Sequence, residues 1–242
     1  MEQPIIVFAD GAAKGNPGPG GWGVIVVTPD GRVSEIGGGE GHTTNNRMEM
    51  TAVMEGLRNV AGVGGPVAVH TDSTYVIRGC REWIHGWRRR GWKTASGSDV
   101  LNRELWESLA VLVAARGKGG ITWHYVRGHV GIPGNERVDE IADAWATGKH
   151  IDLYRGPLVG YPVAVLDLPE DTSVPEGKAR TTPSKPHSYL SVVDGQLVRH
   201  ATWAECERRV KGRSGARFKK ATSAADEVAI LRTWGFAPED LG

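Results

Sequence analysis

The chain has 242 residues, 40% hydrophobic and 24% charged, with a formal net charge of +1. That size suits one large domain, or a medium domain with a small companion, and supports a sizeable core. Two cysteines rule out a disulfide framework and a cysteine-rich zinc site, so Cys80 and Cys206 read as free thiols of a reducing compartment. No apolar run approaches the ~20 residues of a membrane span. The first residues lead into a strand rather than a secretory signal, so a cytoplasmic protein with no membrane contact is expected. The charge is unevenly spread. Residues 1–149 carry 16 basic and 16 acidic side chains, whereas residues 185–242 carry 10 basic against 7 acidic. The locally basic stretches are Arg81–Lys93 and Arg208–Lys220, so any polyanion-binding surface is local rather than global.

Ile5–Ala9 is an apolar run fit for a buried strand. Gly15 to Gly21 is a turn by composition, Trp22–Thr28 a second strand, Pro29-Asp30-Gly31 a hairpin turn and Arg32–Gly38 a third strand. Asn46–Val60 has apolar residues at helical spacing. Val67–Thr71 is a fourth strand, followed by short helices over Ser73–Arg78 and Arg81–Arg90. A longer helix over Val100–Arg116 has Leu101, Leu105, Leu109 and Leu112 on one side. Ile121–Val126 is a fifth strand and Glu136–Thr147 a closing helix. This order predicts an α/β domain over residues 1–149, with a five-stranded mixed sheet flanked by helices.

Residues 150–186 hold Pro157, Pro162, Pro169, Pro175, Pro183 and Pro186 and lack helical periodicity. They read as a linker with at most a short strand at Val163–Leu166. A cut after Gly148 is then expected to leave the first domain whole. Order returns in residues 187–242, a small α+β domain: strand Tyr189–Val193, turn Asp194-Gly195, strand Gln196–Arg199, helix Thr202–Val210, a basic segment Arg213–Lys220 and helix Ala224–Trp234.

Four acids stand out by position. Asp10 and Asp72 end apolar strands, while Glu49 and Asp139 lie early on helices. Neighbouring strands would bring them to one sheet edge, where crowded carboxylates need divalent cations or shifted pKa values. Oxygen donors suit Mg²⁺, with Mn²⁺ as an alternative. Asp30, Glu35, Glu40 and Asp99 read as solvated surface charge. His42, His70, His85 and His124 sit in no motif and read as packing or surface residues.

Five blocks occur in order: Asp10-Gly11 with Gly15 to Gly23; Thr43 to Glu49; Thr71-Asp72-Ser73; Trp87 to Lys93; and Val126-Arg127-Gly128-His129 with Asn135 to Asp139. Over residues 4–147 they resemble type 1 ribonuclease H of the bacterial type. The resemblance implies the ribonuclease H-like fold and an endonuclease that hydrolyses the RNA strand of RNA·DNA hybrids. It implies Asp10, Glu49, Asp72 and Asp139 as ligands of two metal ions, leaving 5′-phosphate and 3′-hydroxyl ends, and His129 as a proton-transfer or product-release residue. Asn16, Thr44, Asn45 and Asn46 match the groove that contacts the hybrid, where 2′-hydroxyls distinguish RNA from DNA. Trp83 and Arg88, Arg89 and Arg90 match a basic protrusion that grips the DNA strand. Thr74 stands where many bacterial relatives carry Gln.

Trp203 and the run Gly212 to Lys220 resemble the small hybrid-binding, or viroplasmin-like, domain of many type 1 ribonucleases H. The resemblance implies nucleic-acid contacts by Trp203, Phe218, Lys219 and Lys220. The hairpin before Trp203 lacks the expected basic residues, which leaves a protein partner as the other reading. A binding-only protein and an integrase-like or transposase-like nuclease of the same fold are the alternatives for the whole chain. The first would be expected to lose an acid, and the second lacks the protrusion and the His129 block. A monomer is expected.

Overall fold

The computed structural model describes residues 3–128, 131–169, 171–175 and 187–241. It divides into two compact units, Met1–Pro175 and Glu176–Gly242.

The first unit is a mixed sheet between helices. Strands β1 (Ile5–Ala13), β2 (Gly18–Thr28) and β3 (Arg32–Thr43) form an antiparallel meander. The element β4 (Val67–Thr71) lies parallel to β1, and β5 (Ile121–Tyr125) parallel to β4. A sixth strand, β6 (Arg155–Pro157), pairs antiparallel with Arg32–Ser34 of β3, giving the order β5-β4-β1-β2-β3-β6. The expected five-stranded sheet is therefore six-stranded. The extra strand comes from residues read as linker, whose prolines are compatible with an edge position.

Alternation along β1 sends Ile5, Val7 and Ala9 to one face, where they meet Val53 and Leu57 of α1 (Asn45–Asn59) and Leu109 of α4 (Arg103–Ala115). Phe8 points to the other face, with Ile25, Val33 and Val138, the last from α5 (Pro133–Thr147). Within α4 the buried aromatic is Trp106, while Leu101 precedes the helix and is 81% exposed. Short α2 (Thr74–Arg78) runs through a π-turn, Gly79–Trp83, into α3 (Ile84–Arg89).

The supposed linker begins as part of this unit. Tyr161 and Val165 are buried in the Phe8 cluster. Thr172 O accepts from Tyr125 N at 3.0 Å, and Pro175 O accepts from Arg78 Nη2 at 2.5 Å. Val163–Leu166 forms turns rather than a strand. Apolar residues spaced between the prolines provide the anchoring, and these have no helical or strand period to read.

The second unit has an antiparallel sheet in the order β8-β7-β9, from β7 (Ser188–Val193), β8 (Gln196–His200) and β9 (Arg217–Ala221). Helix α6 (Trp203–Val210) begins with a capping box, in which Thr202 Oγ1 accepts from Glu205 N and the Glu205 carboxylate accepts from Thr202 N. Helix α7 (Ala224–Trp234) packs Ile230 and Leu231 on Leu190 and Ala221. The basic segment, expected without a defined element, supplies the third strand.

Candidate active site

The four acids come from four elements. Asp10 lies inside β1, which continues to Ala13 through its pairing with β2 after the parallel pairing with β4 has ended. Glu49 is on α1, Asp72 follows β4 and Asp139 is on α5. Gly11 permits the close approach of β1 and α1: a Cβ there would collide with the backbone of Met48 and Glu49.

Asp10 is 7% exposed, and Gly11 N donates to its Oδ1 at 2.7 Å. Its pKa is pushed up to about 8, first by burial and then by the charge of Asp72, with Asp139 and Glu49 adding smaller repulsions against that hydrogen bond. Glu49 is also raised, by burial and by Asp72, although two side chains stabilise its charged form. Ser73 Oγ donates to its Oε2 at 2.5 Å and Asn45 Nδ2 to its Oε1 at 2.7 Å. The structure thus brings together the four acids predicted from the sequence as one electrostatically coupled group. Among the described residues no three His, Cys, Asp or Glu side chains enclose an ion as they stand. The fit to a divalent cation rests on the donor set: hard carboxylate oxygens whose repulsion a bound cation would reverse.

His129 and Val130 lie outside the described residues. Their preceding neighbour Gly128 lies against the cluster, since a Cβ on it would stand 2.6 Å from Asp72 Oδ2.

Asn16 and Asn46 are exposed, and Thr44 and Asn45 half-buried. Asn16 Oδ1 accepts from Asn45 N at 3.3 Å, which ties the glycine-rich turn to the first turn of α1. The Asn45 side chain orients Glu49, while its backbone N is tied to Asn16. Ser73, assigned no role in the sequence reading, shares this orienting task and also caps α2 by accepting from Val76 N. Its place directly after Asp72 was the available signal. Arg88, Arg89 and Arg90 are exposed at the end of α3. Trp83 is half-buried, tilted on Trp87 at 5.6 Å and edge-on to Tyr75 at 5.8 Å.

Glu35 departs from the expected solvated acid: it is 3% exposed. Arg137 binds it with two hydrogen bonds, Nε at 2.8 Å and Nη2 at 2.9 Å. Tyr161 Oη donates at 2.6 Å and Tyr154 N at 2.9 Å. Burial raises its pKa, but these four bonds outweigh burial and hold it below the usual range. The two-residue period from Val33 on the inward face was the sequence signal that acidity obscured. His70 is buried too, stacked between Phe8 and His124.

In the second unit Trp203 and Phe218 are 40% and 52% exposed, with ring centroids 5.5 Å apart, and Tyr189 lies 5.7 Å from Trp203. Register places Phe218 and Lys220 on the face of Tyr189, because Ser191 pairs with Phe218 and Tyr189 with Lys220. Lys219 pairs with Leu190 and falls on the opposite face. Of the four predicted residues, three share a surface.

The chain belongs to the ribonuclease H family, whose RNase H model matches residues 2–147, more than half of its length. It is 51% identical over 148 residues to a ribonuclease H of Cyanothece sp., covering 61% of this chain and 92% of that one. It is 52% identical over 143 residues to one of Cupriavidus metallidurans, covering 58% and 94%. Among solved structures it resembles LC9-RNase H1, described as a type 1 RNase H with the type 2 active-site motif. The identity there is 34% and the TM-score 0.53, covering 64% of this chain and 79% of that one. The protein is accordingly a ribonuclease H enzyme. No described helix is long and apolar enough to cross a membrane.

Proposed function

We propose that the protein is an endonuclease that hydrolyses the RNA strand of RNA·DNA hybrids by a two-metal-ion mechanism, leaving 5′-phosphate and 3′-hydroxyl ends. The observation that carries this reading is Asp10, buried and driven to about 8 by burial and three other acids. Asp10, Glu49, Asp72 and Asp139 would hold two Mg²⁺ ions, or Mn²⁺ in their place. Bound cations supply charge against the scissile phosphate and acidify water. Ser73 and Asn45 hold both oxygens of Glu49, fixing which way its carboxylate faces. His129 moves a proton at the leaving oxygen or aids product departure. Asn16, Thr44, Asn45 and Asn46 line the hybrid groove, and Trp83 with Arg88, Arg89 and Arg90 meets the DNA strand. The second unit is a second grip on the hybrid, with Trp203, Phe218 and Lys220 as its contact face and Lys219 at the margin. The enzyme acts in the cytoplasm as a monomer.

A cleavage assay on matched hybrid, duplex DNA and duplex RNA, with Mg²⁺ and with a chelator, tests the reading. Cleavage confined to the RNA of the hybrid and lost with chelation is expected. Cleavage of duplex DNA would point instead to an integrase-like nuclease.

A further inference from the structure

The family match ends at residue 147, whereas the first unit runs to Pro175. The intervening chain crosses the sheet from one edge to the other. It pairs with β3 through β6, lays Tyr161 and Val165 on the Phe8 face, and reaches Tyr125 of β5 through Thr172. We propose that this strap is a positioning element of the nuclease: through Glu35 and Arg137 it sets the start of α5, and with it Asp139, against the other three acids.

The contacts converge on one helix turn. Arg137 lies two residues before Asp139. Its guanidinium is fixed by both oxygens of Glu35 and by Asp152 O at 2.7 Å, and it reaches Glu140 at 3.2 Å within the helix. Glu35 is in turn fixed by the strap, through Tyr161 Oη and Tyr154 N, while Glu35 N donates to Tyr154 O at 2.7 Å. A planar guanidinium held on two edges resists both rotation and sliding of the helix that carries it. Asp139, on the same turn, inherits that restraint. Partners one step removed from a metal ligand commonly set how well the ligand binds. The strap's far end acts on the neighbouring piece of the site. Thr172 Oγ1 lies 3.0 Å from His124 Nδ1, and its carbonyl holds Tyr125 N, three residues before Gly128, where any Cβ would crowd the Asp72 carboxylate. This inference rests on the reading that the four acids hold cations.

Tyr161→Phe and Glu35→Gln in the full-length protein test it. Mn²⁺ affinity is measured by calorimetry on the free protein, alongside the Mg²⁺ midpoint for hybrid cleavage, the hybrid KM and the melting temperature. Tyr161→Phe, which keeps the ring and removes one hydrogen bond, is expected to weaken Mn²⁺ about 3-fold and to raise the Mg²⁺ midpoint in step. Glu35→Gln is expected to weaken Mn²⁺ by roughly 10-fold. The hybrid KM should stay within about 2-fold of the parent in both, since neither residue is in the proposed groove. A fall in melting temperature with unchanged Mn²⁺ affinity and Mg²⁺ midpoint would overturn the proposal and leave the strap a purely structural element. If Glu35→Gln does not fold, Tyr161→Phe decides by the same criterion. A parent that binds no Mn²⁺ overturns the cation reading and the strap proposal together, whereas unchanged binding in the variants overturns the strap alone.

Discussion

Asp10 and Glu35 are buried carboxylates of one sheet, and their surroundings treat them in opposite ways. Asp10 meets burial and three further acids and rises to about 8. Glu35 also meets burial, but Arg137, Tyr161 and Tyr154 outweigh it and hold the acid below its usual range. Burial alone therefore does not mark a working acid. The fold sets a guanidinium against Glu35 and further acids around Asp10, so the first is a fastening and the second a charge held at a cost.

Asp10→Asn breaks the repulsive side. Cleavage of a labelled hybrid should fall by at least ~10³-fold, because several kcal/mol of transition-state stabilisation depend on the ion Asp10 is proposed to hold. The fold should persist, with an unchanged or higher melting temperature in chelator. The pH dependence sharpens the contrast. The folded value of Asp10 lies above the ordinary carboxylate range, so its contribution to stability is fully present below that range and is lost as pH rises through about 8. Glu35 runs the other way: its contribution is present above the ordinary carboxylate range and is lost as pH falls through the lowered folded value. Metal-free melting curves of the parent and Asp10→Asn should therefore diverge most at alkaline pH. Curves that stay parallel would remove the electrostatic argument for the site.

The compensated side is broken by shortening the chain. Ending it after Lys149 removes Tyr161 and Val165 from the sheet, at ~1.5–3 kcal/mol for each buried side chain, together with two of the bonds to Glu35. That loss is comparable with the ~5–15 kcal/mol stability of a whole domain. A chain ending at Lys149 should melt far below one ending at Pro175, as scanning calorimetry would show. Equal melting temperatures would return residues 150–175 to the linker first expected from sequence.

His129→Ala should lower kcat by about 10²-fold while leaving Mn²⁺ affinity unchanged. A change in hybrid affinity alone would make it a binding residue. The smallest effect belongs to the second unit, whose proposed contacts need no buried charge. Trp203→Ala with Lys220→Ala should raise KM on long hybrids about 5-fold with little change in kcat. Lys219→Ala, on the other face of β9, should do less. Equal effects from the two lysines would show that strand register does not decide the contact.

Local pattern carried much of this in the sequence. Strands β1 to β5, helix α7 and the grouping of the four acids follow from apolar runs, helical spacing and motif blocks. What escaped depended on partners distant in the chain. Glu35 looks solvated until Arg137, 102 positions away, is folded onto it. The Pro-rich stretch looks unstructured because its anchors, Tyr154, Tyr161 and Thr172, are spaced irregularly and find their partners across the sheet. Lys219 and Lys220 are adjacent in sequence, and only the pairing of β9 with β7 shows that they part to opposite faces.

The strap also bears on solubility. Without β6 the outer strands of the mixed sheet would be β3 and β5, whose backbone groups could template pairing with another molecule. Arg155–Pro157 occupies part of the first edge, and Thr172 O takes the Tyr125 amide on the second. One excursion of the chain thus blunts both ends of the sheet. A shortened protein should therefore aggregate with rising concentration as well as bind metal more weakly.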